Sequence, residues 1–279
     1  MLNIILLLAA GTSITTTHFV GKKGLQRINT KAYVYSINVV TFFCLLPFFL
    51  IFDFNISQPI TWHFLIIIGS AALVKLINNF GFINGLNKIT PLEMASFAAL
   101  GIALTYFIDI IIGSAQFNPV SIIFLSMVII ATFYMLIRLE GGVKLKAILI
   151  VYVITSMLRG YTTHFSLYYM NEFAFAIIIA IISLLFFLPL TNKFKPSKDS
   201  IKTGLIAQGI GMINFIALIY LAGNSTTLYM LAFPVRISIT IIFTLLINDD
   251  VVERPTFKHV ISSFVILLAA TGYVLSQIQ

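Results

Sequence analysis

The spacing of apolar residues constrains this chain more than anything else in it. Ten apolar stretches of roughly 20 residues recur at 2–20, 32–52, 61–83, 91–112, 119–137, 147–165, 173–190, 203–221, 226–247 and 259–278. A hydrocarbon core about 30 Å thick takes about 20 helical residues to cross, and a backbone in lipid must satisfy its own hydrogen bonds, as a helix does. The expected fold is therefore an all-α integral membrane protein with ten transmembrane helices. Hydrophobic residues make up 59% of the sequence and charged residues 9%, and no gap exceeds about a dozen residues, so no stretch is left for a soluble domain. The first stretch has no basic leader and no small-residue cleavage site, and it runs straight into Gly21-Lys22-Lys23, which reads as a helix rather than a signal peptide.

Several function classes drop out on composition. Cys44 is the single cysteine, which excludes an internal disulfide and a thiolate metal cage; no metal and no cofactor is expected. The net charge of +8 would suggest nucleic acid in a soluble protein, but here the basic residues cluster in short loops, so no nucleic-acid partner is expected. No His-Glu-x-x-His, Gly-x-Ser-x-Gly, phosphate loop or carboxylate cluster is found. An enzyme is not expected. The expected partners are the lipid bilayer, a small-molecule substrate and a coupling proton or ion.

The loop lysines and arginines alternate. Lys22, Lys23, Arg27 and Lys31 follow the first stretch, Lys88 the third, Arg138, Lys144 and Lys146 the fifth, Lys193, Lys195, Lys198 and Lys202 the seventh, and Arg254 and Lys258 the ninth. The even-numbered gaps contain none. Short loops obey the positive-inside rule, which puts the odd gaps in the cytoplasm and both termini outside it. A multi-pass protein of the bacterial inner membrane is the expectation.

Ten stretches divide into 1–141 and 142–279, two five-helix halves within one membrane domain. An odd number of spans per half forces opposite insertion, so the halves are expected to form an inverted repeat. Thr17-His18-Phe19 late in the first stretch has a counterpart in Thr163-His164-Phe165 late in the sixth. Very short gaps join stretches three and four, and eight and nine, through the parallel segments Gly85-Leu86…Thr90 and Ala217-Leu218…Ser225. Inverted repeats suit carriers, because two halves rocking about a central site give alternating access.

The run from Phe215-Ile216-Ala217-Leu218-Ile219-Tyr220 through Gly223-Asn224-Ser225, then Phe233-Pro234-Val235, Asn248-Asp249-Asp250 to Pro255-Thr256, and Ala270-Thr271-Gly272-Tyr273 resembles the signature of the drug/metabolite transporter superfamily, and within it the ten-helix EamA-like permeases. The first half repeats it more weakly at Phe82-Ile83-Asn84-Gly85-Leu86. The resemblance implies a transporter. It departs at two points: the family's proline near Ile102 is absent, and a glycine-glutamate pair has become Asp249-Asp250. It also implies cytoplasmic termini, against the charge count, which leaves the direction of transport open.

Charges at bilayer depth are costly and mark substrate or ion pathways. Arg236 lies near the centre of the ninth stretch, two residues after Pro234; Lys75 lies past the middle of the third and Arg159 two-thirds along the sixth. These three, with the amides Asn79 and Asn214, are the candidate substrate-binding residues. Asn38, Asn78 and Gln208 read as interhelical amides. Glu93, His18 and His164 are the candidate gating or coupling residues, although Thr90-Pro91-Leu92-Glu93 also reads as a capping box. Gly81 and Gly85 fit a small-xxx-small packing motif. Because the deep charges are net cationic, the expected function is a secondary transporter of a carboxylate- or phosphate-bearing metabolite, an amino acid or organic anion, working by alternating access. The alternative is a lipid flippase or a non-transporting membrane scaffold, in which the same charges would only be paired.

Overall fold

The computed structural model describes residues 2–113, 116–224, 226–246 and 255–276. In chain order its helices are α1 (Leu2–Arg27), α2 (Thr30–Leu45), α3 (Trp62–Lys88), α4 (Pro91–Ile111), α5 (Pro119–Arg138), α6 (Gly142–Ser166), α7 (Glu172–Phe187), the single turn α8 (Thr191–Phe194), α9 (Lys198–Asn224), α10 (Thr226–Leu246) and α11 (Phe257–Ser276). Short 3₁₀ turns at Leu46–Leu50 and Leu188–Leu190, each opened by a proline, extend α2 and α7. Among the described residues, seven helices are long and apolar enough to cross a membrane. Of the sequence resemblance, Ser225 and 248–254 lie outside the described residues.

The polar residues of the gaps set where helices begin. Asn29 accepts from the Lys31 amide, Thr61 from Phe64, and Asn171 from Ala174. Asn118 accepts from both Val120 and Ser121 ahead of Pro119, so amide groups left orphaned at each helix start find acceptors. Several helices outrun the apolar stretches that foretell them. α1 continues through Lys22 and Lys23 to Arg27, and α9 begins at Lys198 rather than at residue 203. Lysine and arginine are good helix formers, so hydropathy falls before the helix does.

The exterior is apolar. Leu8, Ile66, Ile130, Leu185 and Leu268 are all more than half exposed, which suits a lipid boundary and not water. Inside, α1 packs on α9, α3 on α6, α5 on α11, α2 on α7 and α4 on α10. The α3–α6 contact is close because Gly81 lacks a side chain: a Cβ there would sit 3.2 Å from the Tyr152 Cα. Asn78 reinforces the crossing, its Nδ2 reaching the Tyr152 carbonyl at 3.1 Å, Thr155 Oγ1 at 3.1 Å and Ser156 Oγ at 2.8 Å. α1 and α9 are locked by Ser13, which donates to the Ile210 carbonyl and accepts the Asn214 amide at 3.2 Å.

The two ends of the bundle differ in chemistry. At one, the lysine-free segment between the α2 turn and α3 joins that between α6 and α7: Ile56 bridges Met170, the Ser57 amide donates to the Tyr169 carbonyl at 2.8 Å, and Asn171 Nδ2 donates to the Asp53 carbonyl at 2.6 Å. At the other end meet the C-terminal turns of α1 and α3 and the first turns of α4 and α11, where the lysines concentrate.

Candidate functional site

Arg236 is carried near the middle of α10, two residues after Pro234, and its Nη2 lies 3.0 Å from Nε2 and 3.4 Å from Nδ1 of His18 on α1. Tyr152 of α6 is within electrostatic range of the guanidinium, and the first turn of α4 at Pro91 borders the imidazole. Phe82 closes over that ring, with centroids 4.9 Å apart, and lies 6.0 Å from the Tyr152 ring.

Arg236 thus faces an imidazole and a tyrosine among the described residues. Among the described residues no carboxylate pairs with it, and its Nε is buried with no hydrogen-bond partner. Backbone restraint at this level comes from Ser238 and Thr240, which donate to the carbonyls of Pro234 and Arg236 at 3.0 and 2.8 Å. Thr15 on α1 meets the Thr240 hydroxyl at 2.9 Å and ties the two helices together beside the arginine.

Lys75 is half-buried on α3, two helical turns from Phe82, about 10 Å along the axis from the Arg236 level. It lies within electrostatic range of Arg159 on α6, which is exposed, and no carboxylate among the described residues pairs with it. Asn79 is half-buried and donates to Asn38 Oδ1 at 2.8 Å, while Asn214 is half-buried beside Ser13. The five candidate binding residues thus form no single shell: Arg236 sits at the meeting of α1, α6 and α10, and Lys75 and Arg159 sit together further out between α3 and α6. Two cavities, of about 440 and 270 Å³, open on the flanks, one between α5 and α11 and one among α4, α5 and α6, and neither is lined by these residues.

The coupling candidates separate as well. His18 is buried at 1% exposure, whereas His164 is exposed at the end of α6, stacked on Phe165 and Tyr168; the matched Thr-His-Phe tripeptides occupy unlike environments. Glu93 is buried and forms the capping box in full: its Oε2 accepts the Thr90 amide at 2.7 Å and its own amide donates to Thr90 Oγ1 at 3.3 Å. Its second oxygen, Oε1, forms an ion-pair contact with Nδ1 of His259, buried in the first turn of α11. Three residues here were not singled out from sequence. Lys22 and His259 look like loop or helix-end residues but are buried, and Tyr152 looks like one more apolar aromatic. Only the basic charge of Lys22, four residues after His18 on one helix face, was available to find it.

An all-helical bundle with an apolar exterior and buried cations defines a multi-pass membrane protein. No protein-family model and no curated protein matches the chain. Among 22 chains of solved structures that match, one crystal structure aligns with a TM-score of 0.55 at 12% sequence identity, over 95% of this chain and 98% of its own. At that identity the similarity concerns the fold.

Proposed function

We propose that the protein is a ten-span secondary transporter that carries a small carboxylate- or phosphate-bearing metabolite, with Arg236 as the principal counter-charge. The observation that carries this reading is the buried Nε of Arg236, a donor with no acceptor on a cation with no carboxylate partner among the described residues. A half-buried cation with a buried, unpartnered donor is costly unless something pairs with it; a bidentate anion supplies both the charge and the missing acceptor. Lys75 and Arg159 form an outer cationic step toward it.

The packing supports two inverted halves. Exchanging each helix for its counterpart in the other half turns the α1–α9 contact into the α6–α3 contact and maps α2–α7, α4–α10 and α5–α11 onto themselves. Such an exchange fits two related halves, and five spans per half would relate them by a two-fold axis in the membrane plane, the arrangement that permits alternating access. The resemblance to EamA-like permeases points the same way.

The test has two arms. Purified protein is screened by thermal shift against amino acids, dicarboxylates, phosphate monoesters and nucleobases, and the anions that stabilise it are assayed for counterflow in proteoliposomes. Stabilisation by one class of anion, with counterflow lost at least tenfold in Arg236→Ala and reduced in Lys75→Ala, is the expected result. Unaltered counterflow in both variants, or stabilisation by lipids alone, points instead to a flippase or scaffold.

A further inference from the structure

We infer that Glu93 and His259 form a proton-binding site, linked to the Arg236 anion site through His18 and the first turn of α4. The inference rests on the anion-carrier reading above and adds the ion that drives it.

Among the described residues, Lys22 of α1 at 3% exposure, Glu93 of α4 at 5% and His259 of α11 at 6% are buried at the lysine-rich end of the bundle, with the buried Tyr33 of α2 beside Gly21. A capping role explains one oxygen of Glu93 and leaves the other unexplained. That oxygen meets His259 Nδ1. The contact is not a hydrogen bond, since His259 Nδ1 has no hydrogen-bond partner among the described residues. A proton taken up there would change the charge at a buried place by one elementary unit.

Lys22 binds the same structure from the far side. Its Nζ donates to the carbonyls of Asn87 at 3.3 Å and Ile89 at 3.1 Å. The peptide that carries the Ile89 carbonyl also carries the Thr90 amide, which donates to Glu93 Oε2. Lysine and glutamate thus hold opposite faces of one peptide bond. Lys22 and His18 are about one turn apart on α1, and His18 lies 3.0 Å from Arg236 Nη2. A polar path therefore runs from His259 through Glu93 and the Ile89–Thr90 peptide to Lys22, and along α1 to His18 and Arg236, crossing from α11 to α4 to α1 to α10.

The other charged groups around α4 lie off this path. Lys88 of α3, Arg138 of α5 and Lys258 of α11 are exposed, and Tyr152 of α6 lies beside Arg236. Loading the proton makes this end more positive by one charge and favours an anion at Arg236. By linkage the anion favours the proton equally. The outcome is symport of anion and proton.

Succinate, glutamate and glycerol 3-phosphate serve as probes in proteoliposomes of the full chain, each followed as one-for-one counterflow and as net accumulation driven by an imposed pH gradient. Glu93→Gln is the decisive variant because glutamine still completes the capping box but cannot take up the proton. The expected result is that the wild type does both, Glu93→Gln and His259→Gln lose at least tenfold in gradient-driven accumulation while counterflow persists, and Lys258→Gln behaves as the wild type. Counterflow without gradient-driven accumulation in the wild type, or concentrative uptake by Glu93→Gln, overturns the proton site and leaves the anion carrier standing. Absence of counterflow for all three probes counts against the anion carrier instead. The proton site then answers to a measurement that needs no substrate: the infrared difference spectrum of the purified protein between acidic and alkaline buffer contains a protonated-carboxyl stretch that Glu93→Gln removes. Its persistence in Glu93→Gln overturns the inference.

Discussion

Arg236 is a residue whose presence costs folding free energy and whose absence should therefore stabilise the empty protein. Its Nη2 lies 3.0 Å from a His18 ring nitrogen, and its Nε has no hydrogen-bond partner among the described residues. Replacing a buried, incompletely paired charge with an apolar side chain of similar length commonly stabilises by about 1 kcal/mol or more. Arg236→Met is expected to unfold at a higher temperature than the wild type in detergent without ligand, and to lose the stabilisation that an anion gives the wild type. A lower unfolding temperature would mean that the guanidinium is a structural strut. Arg236 stands out in the sequence because a charge in an apolar run is conspicuous at any distance from its partners. His18 does not. Its tripeptide recurs at His164, yet one ring is buried against Arg236 and the other is exposed, because the difference lies in which neighbouring helix faces each ring. The Thr90–Glu93 box is local and was readable; the Glu93–His259 contact joins residues 166 positions apart and was not.

At the scale of elements, the crossing of α3 and α6 is the joint that brings Tyr152 to Arg236, and two features of it make opposite predictions. Asn78 Nδ2 has three acceptors within reach across the crossing for its two hydrogens, but Thr155 and Ser156 also donate to carbonyls of their own helix, at 2.7 and 2.8 Å. Asn78→Leu strands none of them, so it is expected to cost only about 0.6 kcal/mol, the usual worth of an interhelical hydrogen bond in a membrane. Gly81 has no such latitude. A Cβ there meets Tyr152 backbone at 3.2 Å and the Tyr152 Cβ at 3.1 Å, so Gly81→Val must push the helices apart, at about 1 to 3 kcal/mol for overpacking, and should weaken anion binding by moving Tyr152. Thermal unfolding of both variants decides it; a larger loss for Asn78→Leu would show that polar contacts, not close approach, hold the joint. The small-xxx-small spacing of Gly81 and Gly85 was readable as a packing motif. Its partner helix was not, since spacing names a face and not its neighbour. Helix ends were hidden in the same way: Lys22 and Lys198 read as loop residues because they are charged, although the helices run through them.

For the whole molecule the question is which end faces the cytoplasm. The two segments that lack lysine and arginine, around Ile56 and around Met170, are joined by backbone hydrogen bonds, and the basic turns of α1, α3, α4 and α11 meet at the other end. The bundle is thus polar along its axis in the sense that the charge alternation predicts, and the positive-inside rule places the basic end in the cytoplasm. Four exposed positions test this: Ser57 and Gln116 in segments without basic residues, and Lys144 and Lys193 in segments with them. Each is replaced singly by cysteine in a Cys44→Ser background, and intact cells are treated with a membrane-impermeant maleimide. The expected pattern is labelling of Ser57→Cys and Gln116→Cys in intact cells, with Lys144→Cys and Lys193→Cys labelled only after permeabilisation. The reverse pattern would put Glu93, His259 and Lys22 at the outer surface, with the proton they exchange drawn from outside the cell. Equal labelling at all four would mean that the chain inserts in both orientations, which the fourteen-to-none bias of basic residues between its odd and even gaps argues against.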